Sequence, residues 1–295
     1  MKDRKAFQRS AFTSNWLEMR ESVDRSARRL DLCRRWAELL PQRARVIELA
    51  AGNGALLRAM LPFLRGNLEW FAWDRDAVLL AQIPERLQNL AVSIAPSGHG
   101  FQIETLHCRI TLHLQEMDLA IGNGDLYHHL KHIKPDGIAA SAWFDLASPE
   151  WITHFCRSLV EAGRPTILAT LTIDGRVKLY PFDAADQLFL RLYHRNMETD
   201  KGTGQAAGIH APTILHRQLQ SSGYTICTRH SDWRLSSRET PILDYWLKEL
   251  CLELDQILPG DKKRFNLWRA TRLAQLKNRR LSVRVGHQDL LGWRS

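Results

Sequence analysis

The chain has 295 residues, 44% apolar and 25% charged, with a formal net charge of +9: the make-up of a globular protein able to bury a real core. No apolar run approaches the roughly 18 residues that a membrane span needs, and Met1–Ser10 lacks the apolar h-region of a secretion signal. The five cysteines, at 33, 108, 156, 227 and 251, form no C-x-x-C pair, and an odd number of them points to buried reduced thiols in a cytoplasmic protein, without a disulfide framework or a metal site.

Residues 14–40 are predicted as a helix from the apolar positions Trp16, Leu17, Val23, Ala27, Leu30, Trp36 and Leu40. Within it, Trp16, Arg20, Asp24 and Arg28 fall four apart on one side. A solvated salt ladder and a lid over a ligand both fit that pattern. Strands follow near 44–50, 68–73, 109–117, 136–142, 165–172, 223–230 and 282–288, with helices between them, which is the signature of a parallel α/β sheet. About 50 residues separate the fifth from the sixth strand, and about 50 more the sixth from the seventh; connections that long contain elements of their own or carry function. The first holds a predicted helix at Ala184–His194 and the Gly-rich run Asp200–Gly208. The second holds predicted helices at Pro241–Leu258 and Lys262–Arg279.

The stretch Arg45-Val-Ile-Glu-Leu-Ala-Ala-Gly-Asn-Gly-Ala-Leu-Leu-Arg58 carries the most information. A β-branched run ends in an acid, passes through a small-residue turn and opens into an apolar helix. A second strand then ends in Asp74, 20 residues after Gly54. This order suits a nucleotide-type cofactor with a ribose to be held by a carboxylate. The dinucleotide pattern wants a small third residue where this chain has Leu57, and Glu48 would repel a pyrophosphate. The same carboxylate attracts a cofactor with a positive end. Glu48 with Gly52-x-Gly54 and Asp74 therefore fits S-adenosylmethionine better than NAD.

Glu48-Leu-Ala-Ala-Gly-Asn-Gly54 resembles motif I of the class I S-adenosylmethionine-dependent methyltransferases, and Asp74 is similar to their ribose-binding acid. The segments Trp16–Arg28, Ala140–Leu146 and Val285–Leu291 extend the likeness, to an uncharacterised bacterial subgroup of small-molecule type. The resemblance implies a Rossmann-like sheet of seven strands in the order 3-2-1-4-5-7-6, the last strand antiparallel, with helices on both faces. The chain is accordingly expected to divide into a helical segment or lid over residues 1–42 and a methyltransferase domain over 43–295, with substrate-side elements at 173–222 and at 232–280, where a helical insertion replaces the short hairpin usual between the last two strands of the family. Family loops usually have glycine where this chain has Ala50; alanine fits there if the backbone keeps φ negative.

Ligands of open parallel sheets bind beyond the carboxyl ends of the strands. That rule selects Glu48, Ala50, Gly52, Gly54, Asp74, Asp118, Ser141, Phe144, Asp145 and Thr172. Asp118 could accept the adenine amine or cap a turn. If the helix at 14–40 is a lid, Arg20 lies near the methionine carboxylate. The Asn/Asp-Pro-Pro-Tyr/Phe sequence of base-modifying amino methyltransferases is absent after the fourth strand. Candidate bases are Asp145, His194 and His210, His194 reading more simply as a half-buried structural histidine and His210 lying in a loop. His128-His129-x-x-His132 reads as an exposed helix face, since no Glu or Cys completes a zinc motif. Gly286-His287-Gln-Asp289 reads as a structural hydrogen bond inside the sheet.

Residues 1–45 carry 12 Lys/Arg against 6 Asp/Glu, and residues 262–284 carry nine basic groups and no acid. The expected partner is a small-molecule acceptor. An RNA acceptor using the basic faces is the alternative, and a methyltransferase-like binding protein without catalysis is a third reading.

Overall fold

A computed structural model of the chain describes residues 14–98, 100–120, 123–255 and 260–294. Among the described residues ten strands form one sheet: β1 Arg43–Leu49, β2 Gly66–Asp74, β3 Ser93–Ser97, β4 Gly100–Glu104, β5 Cys108–Glu116, β6 Gly137–Ser141, β7 Thr166–Tyr180, β8 Tyr224–His230, β9 Trp233–Leu235 and β10 Ser282–Arg294. The order is β3-β4-β5-β2-β1-β6-β7-β10-β8, with β9 paired to β10. The run β5-β2-β1-β6-β7 is parallel, and β10 lies antiparallel between β7 and β8. The seven expected strands thus stand in the expected 3-2-1-4-5-7-6 order. Three strands are additional: the hairpin β3–β4, which extends the edge at β5, and the short β9.

The helices are α1 Ser14–Ala27, α2 Leu30–Leu39, α3 Ala55–Met60, α4 Ala77–Ala81, α5 Ile83–Leu87, α6 Asn123–Ile133, α7 Pro149–Glu161, α8 Asp186–Met197, α9 Ala211–Ser221, α10 Thr240–Asp255 and α11 Lys262–Lys277. Strand β1 shows why the sheet is doubly covered, because both of its faces are apolar. Ala44 and Val46 join Trp70 and Leu168 against Trp36 of α2 and Met60 of α3. Ile47 and Leu49 join Ile138 and Ala169 against Leu130 of α6, Phe155 of α7 and Leu215 of α9. A third core gathers Trp16 of α1, Phe189 of α8, Trp246 of α10 and Trp268 of α11 over the outer half of β10. Inside it Asp186 of α8 pairs with the buried Arg272 of α11 and accepts the indole N–H of Trp268 at 2.8 Å.

The structure corrects three local expectations. The helix at 14–40 breaks at Arg28–Arg29, where Arg29 takes an extended conformation and its backbone N–H is captured by Asp289 at 2.8 Å. The fifth strand does not stop at 172 but runs to Tyr180, through Gly175 at φ 82°. Ala50 has φ 51°, not a negative value. With Gly52 at 53° and Gly54 at 82°, three alternate positions of the loop are left-handed, and alanine holds the first against the preference of its Cβ.

Candidate active site at the carboxyl ends of the strands

Asp74 closes the loop between β1 and α3. Its Oδ2 accepts the backbone N–H of Gly52 at 2.7 Å and its Oδ1 that of Asp76 at 2.9 Å. Each oxygen keeps a lone pair for a further donor, and burial raises its proton affinity. Glu48 is buried beneath the loop, where its Oε2 accepts the indole N–H of Trp70 at 2.8 Å. Desolvation pushes its pKa up to about 7, opposed by that hydrogen bond and by the charges of Arg58 and Arg28. Gly54 is fixed as glycine by close approach as well as by φ, since a Cβ would stand 2.9 Å from Ile83 Cγ2.

Helix α1 lies across this loop. Arg58 of α3 donates to both carboxylate oxygens of Glu21, at 2.8 and 2.7 Å, and to the Asn53 carbonyl at 2.6 Å. Leu17 packs above Gly52, and Glu18 pairs with Arg86 of α5. The salt-ladder reading therefore fails: Trp16, Asp24 and Arg28 are all buried. Asp24 accepts from Arg20 at 2.9 Å and from the Trp233 indole at 2.9 Å, while the Arg20 guanidinium sits 5.0 Å above the Trp233 ring. Arg28 leaves the ladder because α1 ends at Ala27. It turns inward and donates to Ser141 Oγ at 3.1 Å and Thr170 Oγ1 at 3.4 Å. Ser141, selected as a cofactor contact, is thus the partner of Arg28.

Beyond β6 the chain turns at Trp143–Asp145, and Asp145 is 3% exposed. Desolvation pushes its carboxyl pKa up to about 6, against the pull of its own and Ile173's backbone N–H and the charges of Arg20 and Lys201. Among the described residues its Oδ1 has no hydrogen-bond partner, and neither has Thr172 Oγ1 on β7, also 3% exposed. Tyr193 of α8 shares this corner: burial raises its pKa, and the neighbouring Asp145 charge raises it further. His287 of β10 is buried and neutral, its pKa pushed down to about 4 by desolvation and by Arg20. Its Nδ1 lies 3.1 Å from the Val285 carbonyl and so carries the proton. Arg20 consequently belongs with Asp145, Tyr193 and His287.

Neither candidate histidine joins this corner. His194 is half-buried with Nε2 donating to the Gly175 carbonyl at 2.8 Å, the structural histidine the helix pattern suggested. His210 faces solvent, and its Nε2 stands 3.6 Å from Glu198. Asp118 Oδ1 accepts the backbone N–H of Ala120 at 2.9 Å, which realises its turn-capping alternative. On α6, His128 and His132 are exposed.

Two contributors, Arg58 and Tyr193, were not singled out from sequence, and the role of a third, Asp289, was read too narrowly. Arg58 falls four residues after Gly54 on an apolar helix, which is an available signal for a buried cation serving the loop. Tyr193 stands four after Phe189 and four before Met197, so helical phase aims it inward beside His194. Asp289 gave only a sheet hydrogen bond, and it makes three. Its carboxylate accepts from Arg29 N at 2.8 Å, Leu171 N at 2.7 Å and Ser231 Oγ at 2.5 Å. It thereby joins the α1–α2 break to a bulge in β7 where the β10 register shifts.

No protein-family model and no curated protein matches the sequence. Among solved structures the chain is similar to a putative methyltransferase from Bacillus halodurans C-125, with 13% identity over 90% of this chain and 97% of that one and a TM-score of 0.48. It is similar to the cyclopropane synthase MmaA2 from Mycobacterium tuberculosis, with 12% identity, 89% and 82% coverage and a TM-score of 0.45. A precorrin-6y C5,15-methyltransferase from Geobacter metallireducens GS-15 aligns at 10% identity over 90% and 86% of the two chains, with a TM-score of 0.41.

Proposed function

We propose that this chain is an S-adenosylmethionine-dependent methyltransferase acting on a small-molecule acceptor. The observation that carries the reading is the wiring of Glu48, the left-handed loop 50–54 and Asp74 at the carboxyl ends of two central parallel strands. The residues fit the cofactor. Glu48 is an acid whose burial makes it a strong partner for an ammonium, and Asp74 keeps two lone pairs for ribose hydroxyls. When bound, S-adenosylmethionine supplies an electrophilic methyl group. The chain supplies position and dryness: α1, latched by Arg58–Glu21, excludes water over the loop. Asp145 faces the acceptor and takes its proton if the acceptor is a hydroxyl. Of the expected lid over residues 1–42, α1 and α2 serve as the lid and residues 1–13 lie outside the described residues, while α8, α10 and α11 wall the acceptor side within 173–222 and 232–280. No helix among the described residues is long and apolar enough to cross a membrane. Cys33, Cys108 and Cys156 are buried as free thiols, which suits the cytoplasm.

Titration calorimetry tests the cofactor assignment. S-adenosylmethionine should bind and NADH should not, and at 100 times Kd the cofactor should stabilise the fold by about 2.7 kcal/mol. Asp74→Ala should weaken binding by roughly 1.5–3 kcal/mol. NADH binding tighter than S-adenosylmethionine overturns the reading.

A second reading, an RNA acceptor, has one observation in its favour. Along α11, Lys262, Lys263, Arg264 and Lys277 are exposed, and the adjoining turn presents Tyr180 and Phe182, 54% and 78% exposed, next to Arg272's bond to the Pro181 carbonyl. Counterion release then requires a steep loss of RNA affinity between about 50 and 200 mM salt. A nanomolar complex with one tRNA at physiological salt would place this reading first.

A further inference from the structure

Among the described residues Asp145 Oδ1 and Thr172 Oγ1 are the buried side-chain oxygens without a hydrogen-bond partner, whereas other buried acids are held by side-chain or backbone donors. Asp24 has Arg20 and Trp233, Glu48 has Trp70, Asp186 has Trp268 and Arg272, and Asp289 has three. Buried polar atoms without partners are rare in folded proteins and collect at functional sites. Both stand where β7 passes the carboxyl end of β6: Ser141, the last residue of β6, pairs with Thr170, the Ala142 N–H donates to the Thr170 carbonyl at 2.9 Å, Thr172 follows two residues on, and Asp145 lies in the turn four residues after Ser141. The bulge held by Asp289 at Leu171 resets the alternation of β7 just before Thr172, the way bulges re-aim side chains beside active sites. Tyr193, buried on α8, is near enough for the Asp145 charge to raise its pKa.

We propose that Asp145 Oδ1 and Thr172 Oγ1 form a subsite that grips the acceptor through a nitrogen or oxygen bearing hydrogen. The acceptor is therefore an amine-type or hydroxyl-type molecule and not one presenting a carboxylate there. An ionised carboxylate only accepts, so Oδ1 calls for a donor, and a threonine hydroxyl serves either way. The two cations whose charge reaches Asp145, Arg20 and Lys201, do not bond Oδ1. A ligand carboxylate would set its lone pairs against those of Asp145. The proposal rests on the methyltransferase reading for the word acceptor, but its test does not use methyl transfer.

Thr172→Val and Asp145→Asn are compared with the wild-type chain in two measurements. Valine removes only the unpartnered hydroxyl, so the Tm of Thr172→Val without ligand should hold or rise. Ligand-observed NMR then uses three probes of matched size: benzylamine, benzyl alcohol and phenylacetate, each with and without S-adenosylhomocysteine. Benzylamine and benzyl alcohol should bind and phenylacetate should not. Asp145→Asn should weaken benzylamine about tenfold or more, the range of one charge-assisted hydrogen bond. Three results overturn the proposal: phenylacetate binding as well as benzylamine, no binding by either donor probe, or a lowered Tm for Thr172→Val. Binding of the donor probes together with failed S-adenosylmethionine calorimetry would leave the subsite standing and remove the methyl-transfer reading.

Discussion

On the loop side of the site each acid is held within the fold: Glu48 by Trp70, Asp74 by two backbone N–H groups, Glu21 by Arg58. On the opposite side, 3% exposed, Asp145 keeps one oxygen bare, and Thr172 beside it keeps a bare hydroxyl. The first half is a preformed cradle whose geometry the polypeptide supports by itself. The second, on the subsite proposal, is arranged around a ligand that supplies the missing donor, and a fold tolerates such a bare atom where binding or catalysis uses it. Substitutions on the two sides should therefore act on different properties, changing fold stability and cofactor affinity on one and turnover on the other.

The largest expected effect lies on the bare side. Asp145→Asn keeps size while removing charge and basicity, so turnover should fall by roughly 10²–10⁴ with cofactor affinity nearly unchanged. Calorimetry beside an activity assay checks it, and an equal loss in both would erase the distinction between the halves.

Glu48 sharpens the comparison through pH. Its folded pKa of about 7 lies above the ordinary value of 4.5, so the folded state holds a proton the unfolded state has lost. Stability from this group is complete below about pH 4.5, falls as pH rises, and is gone above 7. Glu48→Gln removes the penalty. Without cofactor it should be more stable than wild type at pH 8, by at most about 3 kcal/mol, and no different near pH 4. It should also lose affinity for S-adenosylmethionine. Urea melts at the two pH values decide it; a variant less stable at pH 8 would show that Glu48 holds the fold as an anion.

The latch comes next. Glu21 sits below its ordinary pKa: desolvation raises it, and the hydrogen bonds and charge of Arg58 more than offset that. Its stabilisation is present above about pH 4.5 and lost as pH falls through its lowered folded value. Glu21→Gln should cost roughly 1.5–3 kcal/mol at neutral pH, as for a hydrogen bond to a charged group. Amide exchange over residues 14–27 should rise more than exchange over the β1 core. Uniform exchange would mean that α1 opens only with the whole fold.

The smallest effect is a gain. Ala50→Gly relieves a Cβ held at φ 51° and should stabilise the protein by about 0.5–1 kcal/mol, with cofactor binding kept or improved. A loss of stability would show that the alanine methyl packs well enough to outweigh its strained backbone.

The sequence by itself determined the loop half. Strand β1, the left-handed turn, α3, β2 and Asp74 lie within 32 consecutive residues, so hydrophobic period, glycine positions and one acid suffice to build them. The helices at 240–277 were legible for the same reason. The hairpin β3–β4 was not, because Ser93–Ser97 is almost wholly exposed and gives no apolar alternation. The run of β7 past residue 172 was hidden by Gly175, which imitates a turn. Only the tertiary structure decided the other half. It brings Arg20 from α1, Asp145 from a turn, Thr172 from a bulge and Tyr193 from α8 into one corner, and it fixes the bulge from Asp289, 118 residues away. Side chains so distant meet only after the sheet has closed, and no local propensity records which of their polar atoms will be left without a donor.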